Sequence, residues 1–272
     1  MPELPEVQTV VADLEPHLIG RRVESVTVDD PLLVRFPQQA EFCRRLEGKE
    51  ILTVTRRGKY IVIGLEQQLT WMIHLRMTGR LLLNLAKEEK YLRAWFRLDD
   101  GTTVWYCDLR RFGDMWAWYP GEETQLGGFI DLGPEPLADD FCSTWLLGRA
   151  ANRRAPVKTL LLDQRVVAGL GNIYVDEALF LAGIDPRRPA SSISAAEAET
   201  LCLTIREVLS GAISARGTTF RDYRSGRGTS GEYQQKLNVY GRSGEPCREC
   251  GARLASVRIG GRSSVYCPRC QT

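Results

Sequence analysis

Apolar residues near the start of the chain recur at intervals of three and four positions, as on one face of a helix. They are Leu4, Val7, Val10, Val11, Leu14 and Leu18. Pro5 falls in the first turn, where a helix tolerates proline, and Gly20 supplies a residue that ends it. The pattern predicts a helix over residues 4–18.

Between Arg22 and Trp118 the pattern changes to short runs rich in β-branched and aromatic residues. Turn signals such as Arg57-Gly58 and Asp99-Asp100-Gly101 separate the runs. The runs are RVESVTV, ILTVTR, KYIVIGL, LTWMIHL, GRLLLN, LRAWFRL, TTVWYC and DMWAW. Many short strands at this spacing are typical of a sandwich or a barrel, and we interpret residues 1–130 as an N-terminal β-sandwich domain preceded by its helix.

After a stretch rich in glycine, proline and acidic residues at 121–140, the apolar period becomes helical again. Helices are predicted over 141–150, 157–162, 172–182 and 195–215, and a polar loop with several glycines follows at 218–233. The chain is therefore predicted to be an α+β protein with a β-sandwich domain at 1–130, a helical domain at 135–235 and a C-terminal module at 236–272.

The N-terminus lacks the basic flank and apolar core of a signal peptide, and no run approaches the roughly 18 apolar residues of a membrane span. These features predict a cytoplasmic protein that does not enter a membrane. Charge is unevenly distributed: residues 205–272 hold 12 Lys and Arg against five Asp and Glu. The C-terminal quarter is the candidate surface for a polyanion. Of the 36 basic residues in the chain, 30 are Arg, which suits bidentate phosphate contacts, although codon usage could equally explain this bias.

Four of the eight cysteines lie in the last 26 residues, as two Cys-x2-Cys pairs separated by 16 residues. This spacing predicts a tetrahedral zinc site formed by Cys247, Cys250, Cys267 and Cys270. Between the pairs, Gly260-Gly261 suits a two-residue hairpin turn and places Arg262 at its tip. One zinc ion would staple a segment too small for a core of its own, and the exposed arginine points towards DNA.

Pro2, Glu3 and Glu6 suit the start of any helix, where proline and carboxylates are favoured. A small second residue, however, normally lets the initiator Met be removed. The new terminus would be a secondary amine with a pKa of about 8, so that roughly a tenth of it is neutral at pH 7. Such an amine needs little help to act as a nucleophile.

Five motifs together resemble the formamidopyrimidine-DNA glycosylase family. They are PELPEV at the N-terminus, HLRMTG at 74–79, DLRRFG at 108–113, GLGNIYVDEALF at 169–180 and LNVYGRSGEPC at 237–247. The motifs occur in family order over essentially the whole chain, and the nearest alternative is the sister branch of endonuclease VIII. The resemblance implies a helix–two-turn–helix in the helical domain and a zinc ribbon at the C-terminus.

The resemblance implies a catalytic group at the N-terminus. Pro2 corresponds to the nucleophile that attacks C1′ of the sugar, and Glu3 to the acid and base that opens the deoxyribose ring. Glu6 corresponds to a second, supporting carboxylate, and Lys59 to a lysine that binds a phosphate next to the lesion. Outside this context Lys59 would be interpreted as a solvated lysine at a strand edge.

DNA-binding residues follow from the same resemblance. His74 would reach a phosphate, while Met77, Arg110 and Phe112 would fill the gap left by an everted base. Core packing is the alternative for Met77 and Phe112, and a structural role is the alternative for His74. In the C-terminal half, the residues that would contact the DNA strand are Lys158, Asn172 and Arg262. Asn172, taken alone, would be an ordinary helix cap.

The resemblance therefore implies a bacterial, nucleoid-associated monomer that acts on damaged double-stranded DNA. It would be a bifunctional DNA glycosylase and AP-lyase of base excision repair that removes 8-oxoguanine and formamidopyrimidines through a Pro2 Schiff base with β,δ-elimination. The zinc would be structural. Two alternatives stay open: an endonuclease VIII-like enzyme for oxidised pyrimidines, and a damage-binding protein without catalysis.

Overall fold

The chain forms two compact units in the computed structural model, which describes residues 2–84, 90–219 and 225–272. The first unit comprises Met1–Ile130 and Ala215–Glu232, and the second comprises Asp131–Ser214 and Tyr233–Thr272. The α+β fold class expected from the sequence is confirmed. The predicted division into three domains, at 1–130, 135–235 and 236–272, is a different partition of the chain and stays a prediction.

The first unit contains two helices and nine strands among its described residues. In chain order they are α1 (Leu4–Leu18), β1 (Val23–Val28), β2 (Val34–Phe36), α2 (Gln39–Leu46), β3 (Ile51–Arg57), β4 (Tyr60–Leu65), β5 (Thr70–His74), β6 (Gly79–Leu83), β7 (Leu92–Leu98), β8 (Thr103–Asp108) and β9 (Asp114–Trp118). Short 3-10 helices lie at Pro31–Leu33, Glu66–Gln68 and Glu123–Phe129. All eight predicted strands are present, whereas β2 and α2 were not predicted.

The strands form two sheets that share one apolar core. The four-stranded sheet has the order β1-β7-β8-β6, and the five-stranded sheet has the order β2-β9-β5-β4-β3. Buried residues from both sheets and from α1 belong to the same cluster, among them Val10, Phe96, Ile63 and Trp71. The predicted β-sandwich is therefore confirmed, with α1 contributing to its core.

Two connections pass from one sheet to the other at the same end of the sandwich. The β5–β6 connection spans residues 75–78, and the β8–β9 connection spans residues 109–113. In the five-stranded sheet His74 is opposite Asp114, and in the four-stranded sheet Gly79 is opposite Asp108. Because each connection starts and ends at paired strand termini, the two connections are neighbours.

The segment after the last long helix returns to the first unit and packs on α1. The guanidinium of Arg216 donates to both carboxylate oxygens of buried Asp13, at 2.6 and 2.8 Å. Further along, the N–H of Leu83 at the end of β6 donates to the carbonyl of Gly226 at 3.1 Å. These contacts make residues 215–232 part of the sandwich unit although they are distant in sequence.

The second unit contains four helices and one hairpin among its described residues: α3 (Ser143–Ala150), α4 (Val157–Leu162), α5 (Asn172–Leu181), α6 (Ala195–Ser214), β10 (Ala255–Ile259) and β11 (Arg262–Tyr266). Short 3-10 helices lie at Ala190–Ser192 and Tyr233–Lys236. The four predicted helices and the hairpin are confirmed. The helices α3 and α5 both pack on α6.

A buried ion pair fastens the hairpin to the helices. The ammonium of Lys158, whose side chain is 0% exposed, lies 2.6 Å from the Asp176 carboxylate on α5. The second Asp176 oxygen accepts the N–H of Val265 at 3.1 Å, and Lys158 also donates to the carbonyl of Ser263 at 3.2 Å. The position of β11 is thus set by charged groups on α4 and α5.

The next residue on α5 fixes the segment that precedes the cysteines. The carboxylate of Glu177 accepts the N–H groups of Asn238, Val239 and Tyr240 at 2.7 to 2.9 Å. Burial raises the pKa of Glu177, although these three bonds oppose that rise. One side chain therefore positions three consecutive backbone N–H groups that lie outside any helix or strand.

Among the residues that the structure describes, no helix combines the length and the apolar character needed to cross a membrane.

Replacing Lys158 with Met should destabilise the protein by about 3 kcal/mol, because it leaves the buried Asp176 carboxylate without its cation. The double variant Lys158→Met/Asp176→Asn should recover part of the loss, since an Asn oxygen can still accept the Val265 N–H. Urea-induced unfolding followed by circular dichroism measures both changes. Exposed Lys236→Met is the matched control, and equal stability of Lys158→Met and this control would contradict the expectation.

Candidate active site

The N-terminus of α1 places Pro2 beside two buried carboxylates. Glu3 is the residue that caps the helix, and Pro5 occupies its first turn as predicted. The backbone N–H of Glu3 donates to Glu6 Oε2 at 2.8 Å, so the side chain one turn into the helix fixes the chain entering it. Glu3 and Glu6 are both buried. The structure therefore brings the three predicted residues together.

The second oxygen of Glu6 fixes a distant segment. Glu6 Oε1 accepts the N–H of Thr218 at 2.7 Å. Gly217, at φ 83°, comes so close that a Cβ there would lie 2.8 Å from the same oxygen. Because both oxygens hold backbone groups, Glu6 is suited to position the N-terminus, as the supporting role predicts. The polar loop predicted at 218–233 begins here, and its residues 220–224 lie outside the described residues.

Lys59 lies in the turn between β3 and β4, and its side chain is buried. In the same hairpin, Arg56 donates to the Gln8 side chain on α1 at 3.0 Å and to the carbonyl of Gly58 at 2.9 Å. Gly58 adopts φ 57°, a backbone conformation that favours glycine. The turn that carries Lys59 is thus fastened to α1, the helix that begins two residues after Pro2.

His74 ends β5 opposite Tyr60, whose ring meets the imidazole edge-on at 4.5 Å. The backbone N–H of Arg76 donates to His74 Nδ1 at 2.9 Å, so the proton of a neutral imidazole lies on Nε2. Burial, together with the nearby charges of Arg76 and Lys59, lowers the pKa of His74 to about 3. The side chain is a neutral hydrogen-bond donor at physiological pH.

The three residues predicted to fill the gap left by a base lie on the two crossing connections. Met77 is 39% exposed and Phe112 is 52% exposed. The Arg110 guanidinium approaches the Met77 sulfur at 3.5 Å, which joins the two connections at the surface. Exposed Met and Phe side chains favour insertion into the DNA stack over core packing. Met77, Arg110 and Phe112 are called the wedge below.

In the second unit, Asn172 and Arg262 meet at the same stretch of backbone. Asn172 is the first residue of α5, directly after Gly171, and its amide donates to the carbonyl of Ser263 at 2.9 Å. Arg262 is the exposed first residue of β11. The turn before it contains only Gly260 and Gly261, at φ 55° and 77°, as the hairpin prediction requires.

Lys158 also contacts this stretch of backbone, but from the protein interior. Its fully buried ammonium contacts Asp176 and the Ser263 carbonyl. In this arrangement the charge supports the hairpin and is withdrawn from the surface, and contact of Lys158 with DNA stays a prediction.

The four cysteine sulfurs form one compact cluster, in which all ligand atoms lie within 4.8 Å of one another. The Sγ atoms of Cys247 and Cys270 are 3.9 Å apart, and those of Cys250 and Cys267 are 3.5 Å apart. A tetrahedron with zinc–sulfur bonds of about 2.3 Å requires sulfurs about 3.8 Å apart. The distances fit one structural zinc ion and are far too long for a disulfide.

Several residues that fix the site were not predicted. They are carboxylates that hold loops in place, namely Asp13, Asp108, Asp114, Asp176 and Glu177. Asp108 opens the DLRRFG motif, and Asp176 and Glu177 lie inside GLGNIYVDEALF, so the motifs contained them. Nothing in the spacing of a single acid distinguishes a buried anchor from a solvated side chain.

Three family models match the chain. They are the formamidopyrimidine-DNA glycosylase N-terminal domain over residues 1–115, the formamidopyrimidine-DNA glycosylase H2TH domain over 132–224, and the zinc finger found in FPG and IleRS over 244–272. The H2TH match confirms the predicted helix–two-turn–helix domain.

Whole-chain similarity agrees with these matches. The formamidopyrimidine-DNA glycosylase of Laribacter hongkongensis is 46% identical, with 100% of both chains covered. The crystal structure of the MutM (Fpg) protein of Thermus thermophilus superposes with a TM-score of 0.91 at 38% identity, covering 99% of this chain and 98% of that one. Wild-type Lactococcus lactis Fpg, solved with DNA containing N7-benzyl-Fapy-dG, gives a TM-score of 0.92 at 33% identity with 100% of both chains covered. The chain therefore belongs to the formamidopyrimidine-DNA glycosylase family.

Proposed function

We propose that this member of the family excises oxidised purines from duplex DNA and cleaves the resulting abasic site, with the nitrogen of Pro2 as nucleophile. The observation that carries the proposal is the N-terminus of α1, where Glu6 fixes the backbone at Glu3 and both carboxylates are buried. An amine nucleophile held beside a buried carboxyl group is suited to attack on a sugar carbon. The Lactococcus lactis relative, solved with DNA that contains N7-benzyl-Fapy-dG, supports the choice of purine.

The reaction requires removal of Met1, which frees the proline amine. Pro2 N then forms a bond to C1′ while the bond from C1′ to the base breaks. The base leaves with the electron pair of that bond and takes up the proton that the proline nitrogen loses. The ring oxygen departs from C1′ and takes a proton from Glu3, which gives a cationic iminium. The iminium accepts electrons as a C2′ proton is lost, so the 3′ phosphate leaves first and the 5′ phosphate leaves in a second elimination.

We propose that the remaining predicted residues bind the DNA strand and fill the gap left by the everted base. Lys59 and His74 contact phosphates, and Met77, Arg110 and Phe112 occupy the position of the everted base. Arg262 and Asn172 contact phosphates of the strand from the second unit. The protein works as a monomer in the bacterial cytoplasm, associated with the nucleoid through DNA.

The nucleophile is tested by borohydride trapping on a duplex that carries one formamidopyrimidine lesion. The expected product is a covalent protein–DNA adduct, and peptide mapping should place it on Pro2. Extending the N-terminus by one residue that is not cleaved should abolish trapping and incision, because the nitrogen becomes an amide.

Pro2→Gly is the matched control, since it keeps a terminal amine and should retain part of the lyase activity. Normal incision by the extended protein would contradict the proposal and direct attention to Lys59. Trapping on an oxidised pyrimidine but not on the purine lesion would instead favour the endonuclease VIII-like alternative.

DNA binding by the zinc hairpin is tested with two variants. Cys250→Ser should lose zinc and DNA affinity together, because three thiolates no longer close the tetrahedral site. Arg262→Ala should keep the metal and weaken binding to all sequences, and the slope of log affinity against log salt should fall by about one. Zinc content and fluorescence anisotropy measure these effects. Full affinity of a zinc-free protein would contradict this role.

His74 should stay neutral with its proton on Nε2 from pH 5 to pH 8. Nitrogen-15 NMR can test this directly because the chain has only two histidines, and the exposed His17 supplies a reference signal. The pKa of His74 in the folded state lies below the unfolded value of 6.5, so the unfolded chain binds the extra proton as the pH falls. Stability should therefore decrease from about pH 6.5 towards pH 3, and less so in His74→Gln. An imidazolium signal at pH 6 would contradict the assignment.

A further inference from the structure

The carboxylate of Asp108 lies between the two crossing connections and bonds to both. Asp108 ends β8 and is about 1% exposed. From the 75–78 connection, Oδ1 accepts the hydroxyl of Thr78. From the 109–113 connection, Oδ1 accepts the N–H of Arg110 at 3.1 Å and Oδ2 accepts the N–H of Gly113 at 2.8 Å. A single side chain thus links two segments that belong to different strand pairs.

Further bonds close this arrangement. The N–H of Arg110 is shared with the Thr78 hydroxyl at 3.0 Å, so Thr78, Arg110 and Asp108 form a closed triangle. The phenol of Tyr106 lies 3.4 Å from Asp108 Oδ2. Burial and the neighbouring Asp108 raise the pKa of Tyr106 well above its ordinary value, so the phenol keeps its proton and donates it.

Two glycines allow the backbones to approach this cluster. A Cβ at Gly113 would lie 1.5 Å from the Tyr106 hydroxyl oxygen, and a Cβ at Gly79 would lie 2.5 Å from the same atom. Neither position could carry a side chain without moving Tyr106 or the connections. The HLRMTG and DLRRFG motifs therefore both end in glycine for the same steric reason.

Neighbouring arginines are held away from the wedge. Arg111 donates to both oxygens of Asp30, at 2.6 and 2.8 Å, and Arg76 donates to Asp114 at 2.7 Å. The exposed residues left between these anchors include Met77 and Phe112. Anchored Arg76 and Thr78 flank Met77 in the first connection, and anchored Arg111 and Gly113 flank Phe112 in the second. The chain on both sides of each exposed apolar side chain is therefore fixed.

We propose that Asp108 is a positioning residue that, through Thr78, holds the Met77 and Phe112 connections as one preorganised unit for base eversion. The inference rests on the proposed function of Met77, Arg110 and Phe112. The three side chains must enter the duplex together, and a loop that is ordered beforehand loses less entropy on insertion. Cleavage of a preformed abasic site needs no base eviction, so the unit matters less there.

Thr78→Val tests the proposal with minimal change in shape. It removes the hydroxyl that joins Asp108 to Arg110, and excision of a lesion from duplex DNA should fall roughly tenfold relative to abasic-site cleavage, the range for a lost hydrogen bond to a charged group. Thr78→Ser keeps the hydroxyl and should restore the ratio. Thr55→Val, which removes an exposed hydroxyl bond elsewhere in the same unit, is the control and should not change it.

Asp108→Asn provides a second test, because one of the two accepting oxygens becomes an NH2 group that donates, so that the N–H of either Gly113 or Arg110 loses its acceptor. The fluorescence of a 2-aminopurine next to the lesion reports opening of the helix, and both variants should reduce this signal while still binding abasic DNA. If Asp108→Asn does not fold, Thr78→Val decides the question.

Phe112→Ala distinguishes the positioning role of Asp108 and Thr78 from the wedge role on which it rests. If Phe112→Ala lowers the ratio of excision to abasic cleavage while Thr78→Val leaves it unchanged, the positioning role is overturned and the wedge survives. If Phe112→Ala also leaves the ratio unchanged, the wedge itself is wrong and this inference falls with it.

Discussion

A carboxylate can be buried in this protein because backbone N–H groups surround it, since burying the charge without such partners would be costly. Four carboxylates that are each about 1% exposed follow this rule: Glu6, Asp108, Asp176 and Glu177. Glu6 and Glu177 accept N–H groups from segments that are distant in sequence. Asp176 accepts the N–H of Val265 beside its ion pair with Lys158, and Asp108 accepts two N–H groups of the connection that follows it. Because these bonds are made to backbone groups, they fix the main chain of the segments without using the side chains of the donor residues.

The contrast between local sequence patterns and contacts between distant segments explains why the helices and strands could be predicted and their arrangement could not. All eight predicted strands exist because alternation is written locally in the sequence. The pairing is not local: β5 and β6 are consecutive, yet they belong to different sheets. The helix α2 was missed although Phe42 and Leu46 have helical spacing, because the eight-residue segment carries only this one apolar pair between charged residues.

The site divides in the same way. Zinc could be predicted because four thiols at regular spacing have few other uses. The wedge and the nucleophile needed a resemblance, since Met77, Phe112 and Pro2 are ordinary residues when each is considered alone. The prediction that Lys158 faces DNA depended on resemblance too, whereas its burial against Asp176 depends on the three-dimensional packing of α4, α5 and β11. A buried ion pair produces no periodic pattern in the sequence from which it could be predicted.

The return of residues 215–232 to the sandwich has a consequence for the order in which the protein is made. Synthesis proceeds from the N-terminus, so α1 and every strand of the sandwich leave the ribosome long before Arg216 and Thr218 do. Until then Asp13 lacks its arginine and Glu6 lacks one of its N–H partners. The sandwich unit is therefore completed only after the four helices of the second unit have been synthesised, and the contacts that surround the start of α1 are completed late in synthesis of the chain.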